Sequence, residues 1–213
     1  AVLNPRSTRC SPRLCALRKI LLVDMADKYG LTALMFAVRG GHEKCVRALI
    51  EAGSDTNKTN IGGWTALMYA AQDGHDQCAR ALLEAGAVDQ RSSSCRTALM
   101  LAAQNGNQQC ARALLEAGAD VEKQSTLGRT ALMLAAQNGH DQCVGTLIEA
   151  KANLEAVDTR GYTALMMAAE PYHDLCITLL LKAGADHLKR GNDGLHAMNL
   201  WLLYQNSSEN EDV

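Results

Sequence analysis

From Gly128 to Glu155 the chain reads GRTALMLAAQNGHDQCVGTLIEAKANLE, and from Gly63 to Gln90 it reads GWTALMYAAQDGHDQCARALLEAGAVDQ. Both stretches follow one plan. A Gly lies two residues before a Thr, and Ala-Leu-Met and a short Ala-rich segment follow. A Gly-His turn comes next, then a second segment carrying Cys and a Leu-rich end. Thr-Ala-Leu-Met begins at Thr32, Thr65, Thr97, Thr130 and Thr163, with a degraded copy at His196-Ala-Met after Asp193-Gly194. Self-similarity at a fixed period of this length is the mark of a stacked repeat architecture.

Composition agrees. Of 213 residues, 33 are Ala and 30 are Leu, while only 4% are aromatic. Strands favour β-branched and aromatic side chains, so this balance speaks against a β-sandwich and for closely packed helices. With 47% hydrophobic and 21% charged residues the chain is globular rather than disordered. No apolar run approaches the roughly 20 residues that span a bilayer, so no membrane is expected. A net charge of −2 gives no support for nucleic-acid binding.

Eight Cys could suggest four disulfides, but Cys45, Cys78, Cys110, Cys143 and Cys176 follow one another at intervals of 33, 32, 33 and 33. Equivalent positions of stacked helices lie roughly 8–10 Å apart, beyond the about 7 Å that a disulfide tolerates between Cα atoms. The five are therefore expected to be reduced, buried small hydrophobes, which favours a cytoplasmic or nuclear setting. No two-residue Cys spacing is present, so no zinc site is expected.

Each repeat predicts two helices. Thr is a good N-cap, and Leu67, Ala70 and Ala71 recur at helical spacing. Gly74 suits the reversal, Asp76 the start of the second helix, and Gly86 a left-handed C-cap. One such pair cannot bury a core, but five in register can. The pattern resembles the ankyrin repeat over residues 27–205. That resemblance implies an all-α solenoid of stacked helix-turn-helix units with β-turn fingers, used as a protein-binding scaffold without catalysis. Two departures are systematic: the family's Thr-Pro-Leu-His is Thr-Ala-Leu-Met here, and Cys replaces the usual branched aliphatic residue of the second helix. The family's inter-repeat His bonds are then missing, and Met35, Met68, Met100, Met133 and Met166 are expected to fill that space by packing.

The organisation expected is a basic segment over 1–23, read as a cap helix on the stack, with an Arg- and Ser-rich transit peptide as the alternative. Five repeats follow over 24–190, at 27–59, 60–91, 92–124, 125–157 and 158–190. A partial sixth repeat or cap covers 191–205, and an acidic tail 206–213. Several repeats are irregular. Cys95 stands where other copies have Gly63, Gly128 and Gly161. Lys151 stands where others have Gly53, Gly86, Gly118 and Gly184. A left-handed C-cap at Lys151 costs roughly 1–2 kcal/mol. Pro171-Tyr172 replaces the residue and Gly before His173, so the first helix there is expected to end early.

No phosphate loop, dinucleotide fingerprint, zinc-protease helix or nucleophile elbow occurs. The His75–Cys78 spacing would suit a Cys-His nucleophile, but it recurs at His42–Cys45, His140–Cys143 and His173–Cys176, as a structural pair would. No catalytic, metal or cofactor residue is expected, and the chain is read as a non-enzyme. The expected function is that of a monomeric scaffold for an unidentified protein partner. The alternative is the recognition arm of an enzyme whose catalytic domain lies elsewhere. The partner face is expected on fingers and first helices. The residue before each Thr varies most: Leu31, Trp64, Arg96, Arg129, Tyr162. Aromatic and Arg side chains dominate binding hot spots, which singles out the last four. Phe36, Tyr69, Gln104, Asn105, Gln137 and Asn138 flank them on the first helices, where the aliphatic Leu101 and Leu134 serve packing or contact. Asn57, after Leu49 and Asp55, resembles the asparagine-hydroxylase site of ankyrin proteins and is a candidate modification site.

Overall fold

The computed structural model describes residues 23–200. The proposed cap over 1–23, apart from Val23, the closing segment beyond residue 200 and the tail over 206–213 lie outside the described residues. Among the described residues ten helices follow in pairs, and residues 197–200 are helical as well. They are α1 (Ala33–Arg39) with α2 (Glu43–Glu51), α3 (Ala66–Asp73) with α4 (Asp76–Glu84), and α5 (Ala98–Gln104) with α6 (Gln108–Glu116). Then come α7 (Ala131–Gln137) with α8 (Asp141–Glu149), and α9 (Ala164–Ala169) with α10 (Asp174–Lys182). Among the described residues the only β pairing is an isolated bridge between Ala26 and Thr32.

Each odd helix starts where its Thr hydroxyl accepts the backbone N–H of the Met three residues on, as at Thr97 and Met100 (3.2 Å). This satisfies one orphan donor per helix. The even helices begin after a His or Asn whose side chain makes no such cap. Odd helices pack on odd, even on even, and each pair on itself. The core therefore runs as one continuous column rather than a central ball.

Small residues make that column possible. Ala70, Ala102, Ala135 and Ala168 are fully buried between neighbouring odd helices. The five Met are 1% exposed, as expected for packing residues. Cys78, Cys110, Cys143 and Cys176 are buried, but Cys45 is exposed, contrary to expectation. The reason is directional. The Cys110 thiol points back to the Ala70 carbonyl of the preceding repeat, at 3.7 Å. Cys45 stands in the first repeat, with no described repeat before it.

Inter-repeat hydrogen bonds are present after all, from a different position. The Nε2–H of His75, His140 and His173 donates to the carbonyls of Arg39 (3.3 Å), Gln104 (3.0 Å) and Gln137 (3.1 Å). Asn107 replaces His in the third repeat and donates to Ala71 and Gln72, both at 2.9 Å. The carbonyls can only accept, so each His carries its proton on Nε2. The recurrent His–Cys spacing is thereby explained: the imidazole serves the neighbouring helix end, the thiol the core.

In the fifth repeat α9 stops at Ala169, one residue short of α5 and α7. Glu170 keeps helical dihedrals (φ −58°, ψ −47°). Pro171 thus acts by lacking the N–H that Asn138 donates to Leu134 in the repeat before, not by pushing Glu170 out of the helical region.

Candidate functional site

The fingers are built from one acceptor each, five residues before the Thr. Asp27, Asn60 and Asp158 use Oδ1 to accept two finger N–H groups apiece, at 2.8–2.9 Å. Ser92 and Ser125 accept from Arg96 and Arg129. This column was not singled out from the sequence, although its Asx and Ser turn chemistry is a legible signal. Fingers then bond to one another. The N–H groups of Ile61, Ser93, Thr159 and Asn192 reach the preceding finger at 2.9–3.1 Å, but Thr126 reaches Ser94 at 3.5 Å. The stretched contact sits beside Cys95, whose φ is +56°. At the equivalent Gly63, Gly128 and Gly161 a Cβ would lie 2.8–3.1 Å from the next finger's backbone. The Cys95 side chain explains the spreading.

The inner face, between fingers and odd helices, has two halves. In the first, Trp64 and Tyr69 meet with ring centroids 5.2 Å apart at 41°. The Arg39 guanidinium lies 5.5 Å over Tyr69, and Asn60 donates to the Tyr69 hydroxyl at 2.9 Å. Phe36 is 50% exposed beside this cluster, while Leu31, Trp64 and Tyr69 are half-buried against the core.

The second half is a groove of about 870 Å³ over repeats three to five. It brings together Arg96, Gln104, Arg129, Gln137 and Asn138 of the expected set, with Leu134 on its floor. Asn105 and Asn138 each turn their amide N–H onto their own helix end, at the carbonyls of Leu101 and Leu134. Arg129 donates to Gln137 Oε1 at 3.0 Å and stands 3.9 Å from Asp158, whose side chain is 1% exposed. Arg160 pairs with the same carboxylate at 3.3 Å and stacks 4.2 Å over Tyr162. Arg160 was missed in the sequence. Its column, three residues before each Thr, reads Tyr29, Gly62, Ser94, Leu127, Arg160 and varies as freely as the column that was chosen.

One expected contact residue is corrected. Tyr162 is 6% exposed. Its hydroxyl donates to Asp193 at 2.5 Å, and that bond, with burial, pushes its pKa up to about 12. It is a strut between the fifth and sixth fingers. Leu101 is buried in the inter-repeat core, so for it the packing role holds. Asn57 is committed at both ends of its amide: Nδ2 donates to Gly86 (3.3 Å) and Oδ1 accepts from Val88 (3.0 Å).

Burial pushes the thiols of Cys110 up to about 12 and of Cys143 and Cys176 to about 11. Such thiols are poor nucleophiles at neutral pH. Among the described residues no three His, Cys, Asp or Glu gather as metal ligands, and no helix is long and apolar enough to cross a membrane.

A family model for ankyrin repeats matches three times, over residues 10–60, 50–125 and 99–190. The human ASB11 ankyrin repeat domain, seen in a crystal structure, is similar to this chain with a TM-score of 0.78 and 28% identity. The likeness covers 88% of this chain and 86% of that one. No curated protein matches.

Proposed function

The chain belongs to the ankyrin-repeat family, whose repeats are in general protein-interaction modules, and from that premise we propose that it is a non-catalytic scaffold binding a partner protein on its inner face. The observation that carries this reading is the groove over repeats three to five. It is the place where the variable finger residues Arg96, Arg129 and Arg160 converge with the polar helix residues Gln104, Gln137 and Asn138. The exposed Phe36 and the Trp64–Tyr69 pair extend the same face toward the first repeat and supply apolar anchors. The free cysteines among the described residues support a reducing compartment, cytoplasmic or nuclear.

The test is site-specific photo-crosslinking in extract from the native cell. A crosslinking residue is placed at Asn138 on the groove, or at the exposed Arg112 on α6. Partner adducts are expected from Asn138 and not from Arg112. Adducts of equal yield from both, or from Arg112 alone, would remove the inner face from consideration.

A further inference from the structure

The groove has a charge and hydrogen-bond pattern that says what fits it. Three guanidinium groups, Arg96, Arg129 and Arg160, line it, while the whole chain is net negative. Arg129 and Arg160 share the single buried carboxylate of Asp158. Arg96 has no acidic partner and no side-chain hydrogen bond among the described residues. Its guanidinium is partly desolvated, and burial alone lowers its pKa. A cation taken out of water without a counter-charge is a standing cost that an arriving anion relieves.

One further polar atom at the groove, the acceptor Gln104 Oε1, is buried without a hydrogen-bond partner among the described residues, while Arg129 Nε makes no hydrogen bond but faces Asp158 at 3.9 Å. Native interiors leave few such atoms unsatisfied. A backbone N–H of an extended segment can serve that acceptor. The long Thr126–Ser94 contact opens the fingers at the same place. At the far end, Glu170 lines the groove and would repel an acid there.

We propose that this groove takes an extended acidic peptide segment of the partner, with one carboxylate on Arg96 and the acidic end directed away from Glu170. The proposal rests on the inner-face reading above and sharpens it to a ligand class. Neighbouring repeats lie roughly 8–10 Å apart, and an extended chain of polyproline II form advances about 3.1 Å per residue and returns to the same face every third residue. A second acidic residue about three positions along would therefore meet Arg129.

The experiment is a selection of random displayed peptides on the full chain. Selected peptides are then measured as free synthetic peptides against wild type, Arg96→Gln and Arg112→Gln. Acidic enrichment is expected, with binding that weakens as salt rises. A loss of roughly tenfold is expected on Arg96→Gln, or on changing the peptide's own Glu to Gln, and none on Arg112→Gln. The peptide-side change tests the same contact on unmodified protein should Arg96→Gln fail to fold. Peptides without acidic residues that still lose binding on Phe36→Ala or Asn138→Ala would overturn the acidic ligand and leave the inner-face reading standing. Peptides indifferent to every inner-face substitution would sink both. A selection that enriches nothing overturns the acidic ligand, and crosslinking from Asn138 then decides the inner face by itself.

Discussion

Lys151 and Cys95 both hold positive φ, at 62° and 56°, where most other repeats carry Gly. The two costs differ in kind. Around Gly86, Gly118 and Gly184, the counterparts of Lys151, a Cβ would meet nothing within 4 Å. The penalty at Lys151 is therefore conformational only. A left-handed non-Gly residue costs about 1–2 kcal/mol, and Gly gives back about 0.4–1 kcal/mol through the freer unfolded chain. Lys151→Gly should stabilise by about 0.5–1 kcal/mol in urea unfolding. At Cys95 the side chain also presses on the next finger, so Cys95→Gly should stabilise more and shorten the Thr126–Ser94 contact. Equal gains from the two would show that dihedral strain is the whole cost.

Each pair of helices is tied to the pair before it by the residue that opens its even helix. A Cβ at Gly106 or Gly139 would come within 2.6 Å of the His140 or His173 ring of the following repeat. The Gly-His turn is thus one device spread over two repeats: Gly makes the space and the next His fills it. His140→Ala removes the Nε2–H bond to Gln104 and should cost about 1 kcal/mol, read as a lower urea midpoint. His140→Asn should cost less than half of that, because Asn107 makes the equivalent bonds to Ala71 and Gln72. Equal losses for Ala and Asn would place the contribution in ring packing rather than in the bond.

Over the whole stack, stability is a sum of neighbour interfaces, and the Cys column reports on it. Under native conditions iodoacetamide should modify the exposed Cys45 and the half-buried Cys95. Among the described residues it should spare Cys78, Cys110, Cys143 and Cys176. Peptide mapping by mass spectrometry checks this, and labelling of the buried four should rise together with denaturant if the stack opens as a unit. Earlier labelling of Cys78 alone would mean that the first repeats open separately. The same column explains how far sequence reading could go. Cys45 carries the repeat signature yet is exposed, because burial comes from the preceding repeat and not from the residue itself.

The period, the Thr caps, the small-residue core, the irregular Lys151, Cys95 and Pro171 positions and the stacked-helix architecture were legible in the sequence alone. They depend on local backbone preference and on the repetition of one interface, and both are written linearly. The fate of the finger residues was not. Arg96 and Tyr162 occupy the same repeat position, yet one is an unneutralised cation on the groove and the other a buried strut bonded to Asp193. That difference is set by residues about one repeat away. Asp193 from the next finger captures the Tyr162 hydroxyl, and among the described residues no carboxylate reaches Arg96. Only the packed stack brings such residues together, so only the tertiary structure could decide which variable positions remain free for a partner.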